Sequence, residues 1–178
     1  MSERALPIDI NAERATLGSI LLERDAIVAV APWLLKDYFY LEKHAWIYEA
    51  MLVCYHRRVP PDSSMVADEL RRQQRLDGVG GLSYLMSLSD ATPSAVHVEY
   101  YARIVERTAT LRRLIEAGGR IASIGYDEHE ELEETLDRAE RELFAVTQRR
   151  NVRTYRHVSE GLEQFYTWLE QMTSGRAQ

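Results

Sequence analysis

The chain has 178 residues, 46% of them hydrophobic and 28% charged, with a formal net charge of −6. That length holds one ordinary domain, or a small domain with an appendage, and the composition is that of a folded chain rather than a disordered one. The acid excess argues against a domain that grips DNA by itself, which would carry a dense basic face.

The longest apolar run, residues 26–31, ends at Pro32, far short of the roughly 20 residues that span a bilayer. No apolar N-terminal stretch offers a secretory signal. Cys54 is the single cysteine, so no internal disulfide can form, and the chain reads as cytoplasmic. Its apolar helical setting makes it a buried, inert thiol rather than a nucleophile. Lys36 and Lys43 are the only lysines; the preference for arginine is read as GC-rich coding, not as a nucleic-acid signature.

No segment alternates with period two, so every element is expected to be helical. Asn11 is expected to cap a first helix through Leu22, with Leu17, Ile20 and Leu21 inward. Asp25 caps a short second helix that Pro32 disturbs, and Trp33-Leu34-Leu35 with Tyr38-Phe39-Tyr40 form an apolar connector expected to be buried. A third helix spans residues 41–56, with Ile47, Met51 and Leu52 inward, and Pro60-Pro61-Asp62 ends the connection after it. The fourth starts at Ser63 or Ser64, with Asp62, Ser63 or Ser64 as its cap, and stops before Gly78. Gly80-Gly81 separate it from a fifth, residues 82–88, with Leu82, Leu85 and Leu88 filling the core. These five make a small orthogonal bundle, within the size that folds alone.

From residue 96 to 126 one helical pattern persists, interrupted only by Gly118-Gly119, and Asp127-Glu128-His129 turns the chain. The return helix carries Leu132, Leu136, Ala139, Leu143 and Val146, spaced 4, 3, 4, 3. That is a heptad seam, which calls for a partner helix along its length. The two arms can bury each other. Two helices alone leave much apolar surface wet, however, which favours a second hairpin from another subunit. Residues 149–156 read as an arginine-rich linker, and a last helix over residues 159–172 carries Val158, Leu162, Phe165, Leu169 and Met172 at the same spacing. So short a helix must dock on something.

No catalytic constellation emerges. His44, His56, His97, His129 and His157 are scattered, and no ligand pair of zinc-site spacing forms with the lone cysteine. Neither lysine follows a glycine, so the P-loop pattern that cradles a triphosphate is absent. Glu69-Leu70-Arg71-Arg72-Gln73-Gln74-Arg75 invites a helix-turn-helix reading, but the following apolar helix carries no Arg, Lys, Asn or Gln to read base edges. Tyr84 has two readings: a partly exposed aromatic anchor for a partner, or a tyrosine lying on its own core with a wet hydroxyl.

The run Val79-Gly80-Gly81, Tyr84-Leu85, Thr92-Pro93-Ser94-Ala95, Glu99-Tyr100-Tyr101-Ala102-Arg103-Ile104-Val105 and Leu111-Arg112-Arg113-Leu114-Ile115 resembles the N-terminal region of bacterial DnaB-type replicative DNA helicases. The likeness extends from about Asn11 to the C-terminus. It departs at Lys36-Asp37-Tyr38-Phe39-Tyr40, where the family usually has Pro-Glu-Asp-Phe-Tyr, at Asn11-Ala12-Glu13 for Glu-Ala-Glu, and at Met65, where a Thr often caps.

The resemblance implies an all-α fold in three parts: a helical head over residues 1–94, a self-associating hairpin over 95–150, and a linker with its helix over 151–178. It implies a dimer, and in the full-length protein a hexamer built as a trimer of dimers. Partners would be primase and a helicase loader, with DNA contacts mainly through a motor domain that also holds ATP and Mg. This chain would take no cofactor and would have no enzyme activity of its own. It would work in the nucleoid-associated replication machinery, away from membranes.

Carried over by position, Tyr84, Ile115 and Ile121 are the primase-binding candidates, although the two isoleucines fit the seam equally well. Leu111, Leu114, Leu132, Leu136 and Leu143 are those for self-association, and Leu162, Phe165 and Leu169 those for docking the linker helix. The alternative is a free-standing helical adaptor or regulator of a helicase.

Overall fold

The structure is a computed structural model describing residues 5–92, 94–127 and 131–151, the last four without their side chains. Among these residues all regular structure is helical: α1 (Ile10–Leu22), α2 (Ala26–Val30), a 3-10 turn (Lys36–Tyr38), α3 (Glu42–His56), α4 (Ser63–Arg72), α5 (Leu76–Val79), α6 (Gly81–Asp90), α7 (Val98–Gly125) and α8 (Leu132–Asn151). The chain divides into two compact units, Met1–Arg112 and Arg113–Gln178.

Local chemistry sets the helix starts. Asp9, not Asn11, caps α1, its carboxylate accepting the Ala12 N–H at 2.9 Å. Asp62 caps α4 by accepting from both Ser64 and Met65, which satisfies two of the four N–H groups that a helix start leaves without partners. Asp25 stands at the start of α2 without a side-chain cap. The fourth helix stops at Arg72 rather than continuing to Gly78, because Gln74 turns left-handed at φ 58° and α5 begins separately. Gly80 and Gly81 follow at φ 101° and 71°, conformations glycine adopts without the clash a Cβ brings. That turn reverses the chain into α6.

The core of the first unit is built from Leu17, Ile20, Ile27, Val30, Leu34, Ile47, Tyr48, Met51, Val66, Leu70, Leu85 and Leu88. The first half of α7 adds Val98, Ala102, Val105 and Ala109 to it. Leu52 is half-buried at its edge. The connector is only partly buried: Leu34, Tyr38 and Phe39 go in, while Leu35 and Tyr40 stay exposed. Tyr48 packs on Phe39 with ring centroids 5.1 Å apart and donates to the Leu34 carbonyl. Burial pushes its hydroxyl far above the ordinary tyrosine range. Cys54 is likewise buried, and burial raises its thiol.

Arg112 ends the unit. Its guanidinium donates to the Pro7 carbonyl at 2.9 Å and the Tyr38 carbonyl at 2.7 Å, tying α7 to the N-terminal segment and the 3-10 turn. In the second unit, α7 runs unbroken through Gly118 and Gly119 to Gly125, so the two glycines do not interrupt the helix. Arg120 on α7 pairs with Glu142 on α8 at 2.8 Å. No described helix is long and apolar enough to cross a membrane.

Candidate interaction surfaces

Two surfaces carry the residues singled out from sequence, one in each unit. The first lies on α6. Leu85 and Leu88 are buried as expected, but Leu82 is 41% exposed, and Met86 is exposed one turn further on. The expectation that Leu82 fills the core therefore fails: the inner stripe of α6 centres on Leu85 and Leu88, and helical spacing sets Leu82 to one side of it. Tyr84 is half-buried against the core edge.

Its hydroxyl has a partner in the core. Tyr84 Oη lies 2.7 Å from His44 Nε2, and His44 Nδ1 lies 2.6 Å from Glu13 Oε2. Glu13 also accepts from the backbone N–H groups of Tyr40 and Leu41. Lys43 Nζ sits 3.9 Å from the centre of the Tyr84 ring, a cation on an aromatic face.

Glu13 and His44 escaped the sequence reading, which weighed the histidines only as metal ligands. A signal was present: Glu13 precedes Leu17 by four and Ile20 by seven, and His44 precedes Ile47 by three and Met51 by seven. Both thus stand on the inner stripes of their helices.

The apparent basic patch on α4 is neutralised. Glu69 pairs with Arg57 and Arg72, Asp68 with Arg71, and Glu49 with Lys36 and Arg75.

The second surface lies on the hairpin helices. On α8, Leu132, Leu136 and Leu143 are 72%, 56% and 49% exposed, and Phe144 is exposed beside them. Of the expected seam only Ala139 and Val146 are half-buried. On α7, Leu111 belongs to the end of the first unit, and Leu114 and Ile115 to the second; all three are exposed. Ile121 is half-buried. The three primase candidates are thus divided, with Tyr84 in the first unit and Ile115 and Ile121 in the second. Leu162, Phe165 and Leu169 lie outside the described residues, as do Glu128 and His129 of the expected turn.

The first unit thus carries a tied aromatic and the second an exposed row of leucines. The DnaB-like helicase N terminal domain family matches residues 5–107. The replicative DNA helicase DnaC of Bacillus subtilis (strain 168) is 39% identical over 172 residues, covering 97% of this chain and 38% of that protein. The solved N-terminal domain of the DnaB helicase from Mycobacterium tuberculosis is 41% identical with a TM-score of 0.76, covering 80% of this chain and 99% of that one. A DnaB-like replicative helicase, solved in a study of its interactions with primase, shares the fold at a TM-score of 0.65 and 24% identity over 85% of this chain and 35% of its own. The chain spans well under half the length of the full-length helicase it matches.

Proposed function

This chain belongs to the DnaB-like helicase N-terminal domain family, and from that membership we propose that it is the assembly and primase-docking region of a hexameric replicative DNA helicase. The observation that carries the proposal is the uncovered seam: Leu132, Leu136, Leu143 and Phe144 face outward on one helix, with Leu114 and Ile115 on the other arm. Large apolar side chains at heptad spacing gain little from the single chain, and a second copy of the same hairpin supplies the matching face.

Dimers formed in this way are the units from which a hexameric collar is built. Unwinding with ATP and Mg, DNA contact and meeting a loader belong to the full-length protein. This chain holds no P-loop lysine and is proposed to hydrolyse no nucleotide.

Tyr84 in the first unit, and Ile115 and Ile121 in the second, are each proposed to contact the C-terminal helical domain of primase. Tyr84 supports this reading as a half-buried aromatic at the edge of the α6 core face, its hydroxyl tied to the buried His44. Truncating a central aromatic anchor costs about 2 kcal/mol or more, roughly thirtyfold in affinity. Tyr84→Ala is expected to weaken primase binding at least that far, measured by calorimetric titration, while helicity and assembly mass stay unchanged. Wild-type affinity in that variant would remove Tyr84 from the docking face.

A further inference from the structure

Three helices contribute one side chain each to a hydrogen-bonded line that self-assembly does not use. Glu13 from α1 and His44 from α3 are 1% and 0% exposed, and Tyr84 from α6 closes the line at the core edge. A buried carboxylate and imidazole cost free energy unless their polar atoms find partners. Here Glu13 accepts from the Tyr40 and Leu41 N–H groups and faces His44 Nδ1, and His44 Nε2 faces the Tyr84 hydroxyl. Backbone N–H groups directed at both its oxygens place Glu13 as an acceptor. For a neutral imidazole, this set of partners puts the proton on Nδ1 and leaves Nε2 to accept from Tyr84. The Tyr84 ring is constrained as well, stacked on His44 with centroids 6.1 Å apart and with Lys43 Nζ on a ring face.

We propose that Glu13 and His44 are positioning residues for Tyr84, fixing its hydroxyl and ring so that the α6 docking surface is set before primase arrives. The proposal rests on the docking reading above. An anchor held in place in the free protein avoids the loss of side-chain freedom on binding, worth roughly two- to tenfold in affinity. Partner recognition would then depend on two residues that no partner touches.

The test is a titration of the full chain with the C-terminal domain of primase, using Tyr84→Phe, His44→Gln, Tyr84→Ala and the His44→Gln/Tyr84→Ala double variant. Tyr84→Phe keeps the ring and removes the hydroxyl, so it is expected to lose about two- to tenfold in affinity, as is His44→Gln. In the Tyr84→Ala background, His44→Gln is expected to add no further loss, because its effect runs through the missing ring. A merely structural histidine would lower the melting temperature in both backgrounds without this non-additivity in affinity. Nitrogen NMR of the wild-type His44 ring should show the proton on Nδ1, a readout that does not depend on folding of any variant.

Independent, multiplying losses in the double variant overturn the proposal, as does a proton found on Nε2. Wild-type affinity in Tyr84→Phe overturns it too, and serves alone if His44→Gln does not fold. If Tyr84→Ala itself binds like wild type, the docking reading fails. If Tyr84→Ala is weak while Tyr84→Phe and His44→Gln are not, only the positioning role fails.

Discussion

Gly18 shows how closely two helices meet in the head. A methyl group built there would lie 2.2 Å from the Leu88 carbonyl oxygen and 2.1 Å from Thr92 Oγ1. The threonine hydroxyl can swing away, but the carbonyl belongs to α6 and moves only with the helix. Overpacking of this kind costs about 1–3 kcal/mol and sometimes more, against which the better helix propensity of alanine returns about 1 kcal/mol. Gly18→Ala should therefore lower the urea midpoint, and an unchanged midpoint would mean that α1 and α6 separate freely. Glu49 makes a milder case. Hydrogen bonds from Lys36 and Arg75 hold its carboxyl below the ordinary carboxylate range, outweighing the opposite effect of its burial. A carboxylate with a lowered folded-state pKa stabilises the fold near neutrality and loses that contribution as pH falls through the carboxylate range. Glu49→Gln should be less stable than wild type at pH 7 by at most about 1 kcal/mol, since the pairs are partly exposed, and denaturation curves of the two should converge as pH falls through the carboxylate range. At this scale the sequence was only partly readable. Asp62 as a cap follows from its position before an apolar run, whereas the partner of Glu13 stands 31 residues away on another helix, where no local pattern points.

At the scale of elements, the helices α1, α3, α6, α7 and α8 were legible because apolar periodicity marks them. The misses are mostly local: a left-handed Gln74 ends α4 early, and Asp9 rather than Asn11 caps α1. A Gly-Gly pair ordinarily weakens a helix, yet α7 continues through Gly118-Gly119, carried by the helix on either side. The same pair behaves differently at Gly80-Gly81, where both residues have positive φ and separate α5 from α6. A Cβ at Gly118 or Gly119 would meet nothing within 4 Å in this chain. Gly118→Ala and Gly119→Ala should each stabilise α7 by up to about 1 kcal/mol through propensity alone, read as a higher melting temperature. A melting temperature that instead falls, and falls more at higher protein concentration, would show that another chain occupies that space.

At the scale of the whole molecule, the candidate surfaces were more legible than their geometry. Heptad spacing shows that a helix wants a partner but not whether that partner is its own second arm. Exposure favours a second copy, since Leu132, Leu136 and Leu143 stay exposed in the single chain, which makes Leu136→Asp a clean test. In the single chain the aspartate meets water, so folding should change by little more than the about 0.5 kcal/mol typical of surface substitutions. In an assembly through the seam the same aspartate would be a buried, unpaired charge costing several kcal/mol. Sedimentation of the wild type at tens of micromolar should show a dimer or larger species, and Leu136→Asp should shift it to monomer with its helicity intact. A monomeric wild type would refute assembly through the hairpin. An aspartate variant that keeps the wild-type mass would mean that α7 and other faces of α8 hold the copies together without Leu136.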